Sequence, residues 1–271
     1  IYCSSLTDDI SFSGNEFKDR STNNMTLSDT PPLTGQQIYV YTALSQNPAS
    51  FSGLSFWIDG ENGYTDLSGN SVALTNNGTT ITANELNGLD VFTFSGSGQY
   101  MSLGTALGKP ANFTVFALIK ADNLSKQGVC GSADSGGASA TAWGDFVITQ
   151  TTKPTGSLSC THSDDVDYRL NTNTDNLLSS GSWYVIVVKF ANGVLDKDIW
   201  VNGVKTSVAH SGGTSLSLNS GTAYEYTIGR TGAYNGSYFN GDIAEHFVYD
   251  EARSDAEIIQ LTTYLQDKYG I

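Results

Sequence analysis

FNGDIAEHFVYDEARSDAEIIQLTTYLQDKYGI, residues 239–271, changes character halfway along. DIAEHFVYD, 242–250, reads as a strand. Ser254 and Glu257 then make the pair of a capping box, in which hydroxyl and carboxylate each satisfy a backbone donor at a helix start. Ile258, Leu261 and Leu265 follow as one apolar stripe at helical spacing. Lys268 falls in the last turn and Gly270 just past it, where a cation and a left-handed residue suit a helix end. The pattern predicts a strand, a short turn and one amphipathic helix near 254–268, packed against the edge or end of what precedes it.

What precedes it is β throughout. From Gly53 onward, short runs alternate with turn residues: LSFWID (54–59), DVFTFSG (90–96), NFTVFALIKA (112–121), GDFVITQ (144–150), SWYVIVVKF (182–190), DIWVNGVKT (198–206) and YEYTIGR (224–230). Val91 and Thr93 alternate with Phe92 and Phe94 on opposite faces. SWYVIVVKF is apolar on both faces, as a central strand should be. Asn202–Gly203 between two apolar runs signals a tight hairpin. Many short strands without intervening helices predict a two-sheet antiparallel sandwich over 51–271. Residues 1–50, polar and carrying Pro31–Pro32, read as an extended arm or a small appended β element.

Composition agrees with a β protein and excludes several functions. The 271 residues are 39% hydrophobic and only 15% charged, so Ser, Thr, Asn and Gly must supply the polar surface. The formal charge of -14, with 13 basic residues spread along the chain, offers no patch for nucleic-acid phosphates. The longest apolar run, WYVIVV, is strand length, far short of the ~18 residues of a membrane span. IYCSSLTDDI lacks the basic and apolar regions of a signal peptide, so an extracellular protein would have lost its address or left by another route. Cys3, Cys130 and Cys160 have no metal-type spacing, and an odd count argues against a disulfide scaffold, with a Cys130–Cys160 bridge left open.

Four segments resemble the concanavalin A-like (laminin G-like) jelly-roll domains of bacterial surface and phage virion proteins. They are GLSFWIDGENGYTDLSGN (53–70), NGLDVFTFSGSGQYMSLG (87–104), DIWVNGVKT and the closing strand and helix. The resemblance spans residues 53–271 and leaves the first 50 uncovered. It implies an all-β jelly-roll sandwich with a C-terminal helix attached. The family includes lectins, adhesion modules and glycan-cleaving enzymes, so the fold alone does not assign a function.

The chemistry then has to be read from residues. Glycoside hydrolysis needs two carboxylates flanking the scissile bond. In the family's hydrolases these stand as Glu-x-Asp-x-x-Glu or Glu-x-Asp-x-Glu on one strand, and no such string occurs here. Asp242 and Glu245 have the wrong spacing, and Glu245 reads as a partly buried carboxylate accepting backbone hydrogen bonds. His162, His210 and His246 are scattered. Asp164, Asp165 and Asp167 in THSDDVD are oxygen donors suited to Ca²⁺ without the spacing of a defined calcium loop. Asp66, in TDLSGN, reads as a side-chain-to-backbone turn residue. Sugar sites pair an aromatic face with a few orienting polar groups. Two loops supply that mix: Trp143 and Asp145 in one, Tyr234, Asn235 and Tyr238 in the other. The expectation is a non-catalytic, extracellular binding or structural module of a virion or cell surface. Its partners would be glycans or other protein subunits, copies of itself included. It requires no cofactor, Ca²⁺ being the one left open, binds no nucleic acid and enters no membrane. The alternative is a glycan-active enzyme on the same sandwich.

Overall fold

The computed structural model describes residues 11–13, 16–18, 26–27, 46–132, 143–149, 154–163, 168–173, 176–191, 197–206, 208–212, 225–231 and 237–271. The chain divides into two units, Ile1–Asn47 and Pro48–Ile271. In the first, β1 (Ser11–Ser13), β2 (Glu16–Lys18) and β3 (Thr26–Leu27) form a small antiparallel sheet in that order.

The second unit begins with β4 (Leu54–Asp59), β5 (Thr75–Asn77), β6 (Thr80–Leu86), β7 (Leu89–Ser95), β8 (Tyr100–Ser102) and β9 (Phe113–Ala121). It continues with β10 (Gln127–Ser132), β11 (Trp143–Ile148), β12 (Leu158–Ser163), β13 (Tyr168–Asn173) and β14 (Trp183–Phe190). It closes with β15 (Asp198–Val201), β16 (Val204–Lys205), β17 (Val208–Gly212), β18 (Tyr226–Ile228), β19 (Asn240–Tyr249) and the helix α1 (Asp255–Tyr269).

These strands make two antiparallel eight-stranded sheets. One runs β16-β15-β14-β9-β19-β7-β6, with β4 pairing onto β19. β7 takes the Asn240–Ile243 half of β19 and β4 the Glu245–Tyr249 half, while β9 runs along its other side. The second sheet runs β17-β13-β12-β11-β10-β18-β8-β5.

Between the sheets lies one core, with Phe92, Phe94, Ile119, Ile186 and Val188 from the first and Met101, Phe146, Tyr226 and Ile228 from the second. A second apolar layer lies on the outer face of the first sheet. Val91, Phe116, Leu118, Val185, Val187 and Phe247 pack there against Ile258, Leu261, Leu265 and Tyr269 of α1, all four fully buried. The helix therefore covers a sheet face, not the edge or end expected from the sequence. The reason is on the strands themselves: β9, β14 and β19 are apolar on both sides, and a second apolar face needs a second cover.

The caps hold as read. Ser254 Oγ accepts from the Glu257 amide, Glu257 returns a bond to the Ser254 amide, and Gly270 adopts φ 65°. The Asn202–Gly203 hairpin has both residues at positive φ, 49° and 79°. So does Asn87–Gly88, at 51° and 86°, and Asn87 Nδ2 donates to the Tyr269 carbonyl at 2.5 Å and the Gly270 carbonyl at 3.1 Å. This second hairpin thus caps the end of α1.

A bulge in β19 sets what each face displays. Ile243 opposes Ile119 and Glu245 opposes Leu118, so Ala244 is an extra residue. Strict alternation after Ile243 would send Glu245 into the core between the sheets. The extra residue shifts the phase, turning Glu245 beneath α1 and His246 inward.

Cys130 and Cys160 are buried thiols on β10 and β12, with β11 between them. At the usual strand spacing, next-but-one strands stand roughly 9–10 Å apart, beyond the ~7 Å a disulfide can span. They do not lie on neighbouring strands, as a bridge would require.

Candidate functional site

On the outer face of the second sheet, β18 and β8, next to the edge strand β5, carry a compact polar and aromatic group. Tyr226 and Ile228 of β18 point into the core, so Glu225 and Thr227 point out. Pairing sets Ser102 of β8 opposite Thr227. Gly229 then redirects the chain at φ 89°, and Phe94 Cε1 lies 2.3 Å from where a Cβ would stand, so only glycine fits. Its amide donates to the Val129 carbonyl at 2.7 Å and its carbonyl accepts from the Phe239 amide at 2.8 Å. Arg230, released onto the outer face by that turn, places its guanidinium 3.5 Å from the centroid of the Tyr100 ring.

Arg230 Nη2 donates to Glu225 Oε2 at 2.7 Å, and Ser102 Oγ donates to Glu225 Oε1 at 2.5 Å. The two charged side chains differ in access: Arg230 is 9% exposed and Glu225 33%. Arg230 Nε is buried and has no hydrogen-bond partner among the described residues. Half-buried Tyr238 flanks the group, its ring 6.4 Å from that of Tyr100 and tilted by 38°. At the neighbouring end of β10, Thr231 N lies 2.6 Å from where a Gly128 Cβ would stand, so the backbone here is closely packed. Two aromatic rings, a carboxylate acceptor and a guanidinium thus stand together in one arrangement.

Of the residues expected to bind a ligand, Tyr238 belongs to this group. Trp143 and Asp145 lie in β11 and not in a loop; Trp143 opposes Ser132, which in turn opposes Tyr226 two strands away. Their side chains lie outside the described residues, as do Tyr234 and Asn235. Asp164, Asp165 and Asp167 also lie outside them. Among the described residues no group of three His, Cys, Asp or Glu is placed to hold a metal ion. Tyr100, Ser102, Glu225 and Arg230 were missed in the sequence. The available signal was the alternation in YEYTIGR, where Glu225 and Thr227 sit outward of two core residues and a glycine precedes the arginine.

The carboxylates considered for catalysis are in closed positions. Glu245 is fully buried beneath α1 and accepts from Trp57 Nε1 at 2.7 Å, Tyr264 Oη at 3.1 Å, Tyr269 Oη at 3.1 Å and Lys268 Nζ at 2.7 Å. Its partners are side chains, not the backbone donors expected, because the bulge turns it toward the helix. Lys268 Nζ also reaches Asp59 Oδ2 at 2.7 Å. Burial raises the Glu245 pKa from its ordinary value, against the pull of Lys268 and Trp57. Burial works against the Lys268 ammonium, but Glu245 and Asp59 outweigh it and hold its pKa above the usual lysine value. Asp242 accepts from Thr93 Oγ1 at 2.7 Å and pairs with Lys120 Nζ at 2.9 Å. His246 is buried against Tyr226, with Nε2 and the phenol oxygen 3.2 Å apart.

A separate cleft of about 610 Å³ opens among Ser55, Asn70, Ser71, Lys109, Pro110 and Asp250. One wall is the 66–72 turn, where Asp66 accepts from the amides of Trp57, Ser68 and Val72 at 3.2, 3.0 and 2.9 Å, the turn role read from the sequence. Among the described residues no aromatic side chain lines this cleft to stack on a sugar.

Comparison with known proteins places the fold. The family model of the concanavalin A-like lectin/glucanases superfamily matches residues 95–259. No curated protein matches the chain. Among solved structures, domain 4 of AbnA, an extracellular GH43 arabinanase from Geobacillus stearothermophilus, in complex with arabinotriose, is 16% identical with a TM-score of 0.55. That match covers 77% of this chain and 98% of the arabinanase domain. The binding domain of Paraclostridial mosquitocidal protein 1 is 14% identical with a TM-score of 0.57, over 78% of this chain and 52% of that one. The receptor-binding domain of botulinum neurotoxin C/D mosaic serotype is 13% identical, also at 0.57, over 78% and 51%. The chain thus spans about half the length of these toxin domains. At such identities the structural matches speak for the jelly-roll fold, and the family match, over more than half of the sequence, makes this chain a member of the concanavalin A-like lectin/glucanase superfamily.

Proposed function

We propose that this protein is a non-catalytic glycan-binding module, displayed outside the cell on a virion or a cell surface. The observation that carries the proposal is the Tyr100–Glu225–Arg230 group on the outer face of the second sheet. A buried guanidinium with an unmatched Nε beside a partly accessible carboxylate and two aromatic rings is costly to build without a use. Two proteins of similar fold support a sugar as ligand: the arabinanase domain is in complex with arabinotriose, and a botulinum neurotoxin DC binding domain is in complex with SialylT. A binding role is favoured over hydrolysis because Asp242 and Glu245 are each engaged by neighbouring side chains, Glu245 under a helix. Residues 1–50 would serve as the attachment element to the assembly, standing as a unit apart from the sandwich.

A glycan array probed with the purified chain tests the binding reading, with Tyr100→Ala expected to lose the signal while melting near the parent temperature. A panel of polysaccharides assayed for released reducing sugar tests the other class, and turnover abolished by Asp242→Asn would make the protein an enzyme. Deleting residues 1–47 should prevent incorporation into the parent assembly and leave glycan binding intact. Ca²⁺, left open by the sequence, is checked by calorimetry on the EDTA-treated chain: a saturable heat lost when Asp164, Asp165 and Asp167 are changed to Asn would assign the ion to them, and no heat would remove it.

A further inference from the structure

We infer that the Tyr100–Glu225–Arg230 group takes an uncharged oligosaccharide and rejects acidic ones, an inference that rests on the glycan-binding reading above. An arginine in a sugar site commonly suggests an acidic sugar, because a guanidinium matches a carboxylate fork to fork. Here the guanidinium is withdrawn from an arriving ligand. Nη2 of Arg230 is on Glu225 at 2.7 Å, one face of the guanidinium lies over Tyr100 at 3.5 Å, and the side chain is only 9% exposed.

What an arriving ligand meets is the other member of the pair. Glu225 is 33% exposed, with Oε1 taking the Ser102 hydroxyl and Oε2 taking Arg230. Each carboxylate oxygen has a further lone pair, so the accessible surface accepts hydrogen bonds and donates few. Sugar hydroxyls are donors that fit it. A sialate, uronate or sulfate would instead set a second anion against Glu225. The charge of the whole chain adds to this, since -14 repels an acidic ligand at longer range. Arg230 acts as a positioning residue: it fixes Glu225 and the Tyr100 ring. Tyr238, tilted beside Tyr100 at 6.4 Å, offers a second ring for a neighbouring sugar unit.

The test uses the whole wild-type chain and matched ligand pairs in titration calorimetry: lactose against sialyllactose, and xylotriose against its glucuronic-acid-substituted form, with arabinotriose and cellotriose added. Binding of at least one neutral ligand, at least tenfold tighter than its acidic counterpart, is the expected result. Its affinity should stay within about twofold between 50 and 500 mM NaCl, since no net charge is paired on binding. Glu225→Gln should weaken it about tenfold or more, and Ser102→Ala, which leaves the Arg230 pair intact, by a few-fold. Preference for the acidic member of either pair, equal affinity for both, or affinity that falls steeply with salt would overturn the inference and leave the glycan-binding reading standing. No binding to either member, nor to any spot of the array, would overturn that reading itself.

Discussion

Glu245 shows how one misplaced side chain would undo this sandwich. Four donors converge on a carboxylate with no exposure. Glu245→Ala should therefore cost about 3–5 kcal/mol in denaturant unfolding, because Trp57, Tyr264 and Tyr269 lose an acceptor and Lys268 keeps only Asp59. Glu245→Gln retains the acceptor oxygen and should cost less; equal losses for the two would remove the hydrogen-bond account. Gly229 makes the same point for the candidate site. Gly229→Ala must place a methyl group on the Phe94 ring at φ 89°, and a loss of about 3 kcal/mol or more is expected. The same variant should weaken glycan binding beyond that of any equally destabilised core variant, since Arg230 is placed by this turn.

The helix α1 behaves as a lid on an apolar sheet face. Truncation before Ser254 uncovers Phe116, Val187 and Phe247, and each buried side chain of the stripe is worth ~1.5–3 kcal/mol. The truncated chain should melt far lower or aggregate; an unchanged melting temperature would make α1 a free appendage. Ser254→Ala removes only the cap and should cost about 1 kcal/mol. Much of this was legible. The capping box, the glycine stop and the Asn202–Gly203 turn are local signals, and local structure obeys them. Apolar residues on both faces of 183–188 announced a strand covered twice, though not that α1 was the second cover. The β19 bulge was not legible, because both phases of NGDIAEHFVYD bury similar numbers of apolar residues, and only the pairing with β9 chooses between them. The site escaped for a related reason. Its members come from separate segments, 100–102 and 225–230, that meet only through the β8–β18 pairing, while the picked loops were chosen by local aromatic content.

The titration of the protein follows from groups that folding removes from water. Burial lowers the His246 pKa from 6.5 to about 3, so the folded state excludes a proton that the unfolded chain accepts. Its contribution is complete above pH 6.5 and is lost as pH falls toward 3, on the order of 4–5 kcal/mol at most. Burial also raises the Tyr264 and Tyr269 pKa values, and Lys268 is raised by its carboxylate partners despite burial. Raised pKa values work the opposite way: those contributions are complete below about pH 10 and fade as pH climbs further. Melting temperature against pH should thus fall on both flanks, and His246→Gln should flatten the acid one if it still folds. Feature by feature, the sheets also prescribe a timetable. β19 is an interior strand of its sheet, yet its partners β4, β7 and β9 all precede it in the chain. During synthesis β4, β7 and β9 must wait with the edge that β19 will take unsatisfied, and these pairings across more than a hundred residues close last. A nascent chain halted anywhere before residue 240 is then a bundle of unpaired edges and uncovered apolar faces. Such a chain calls for a chaperone's custody, and the cell makes nothing useful of it until β19 slides into the gap.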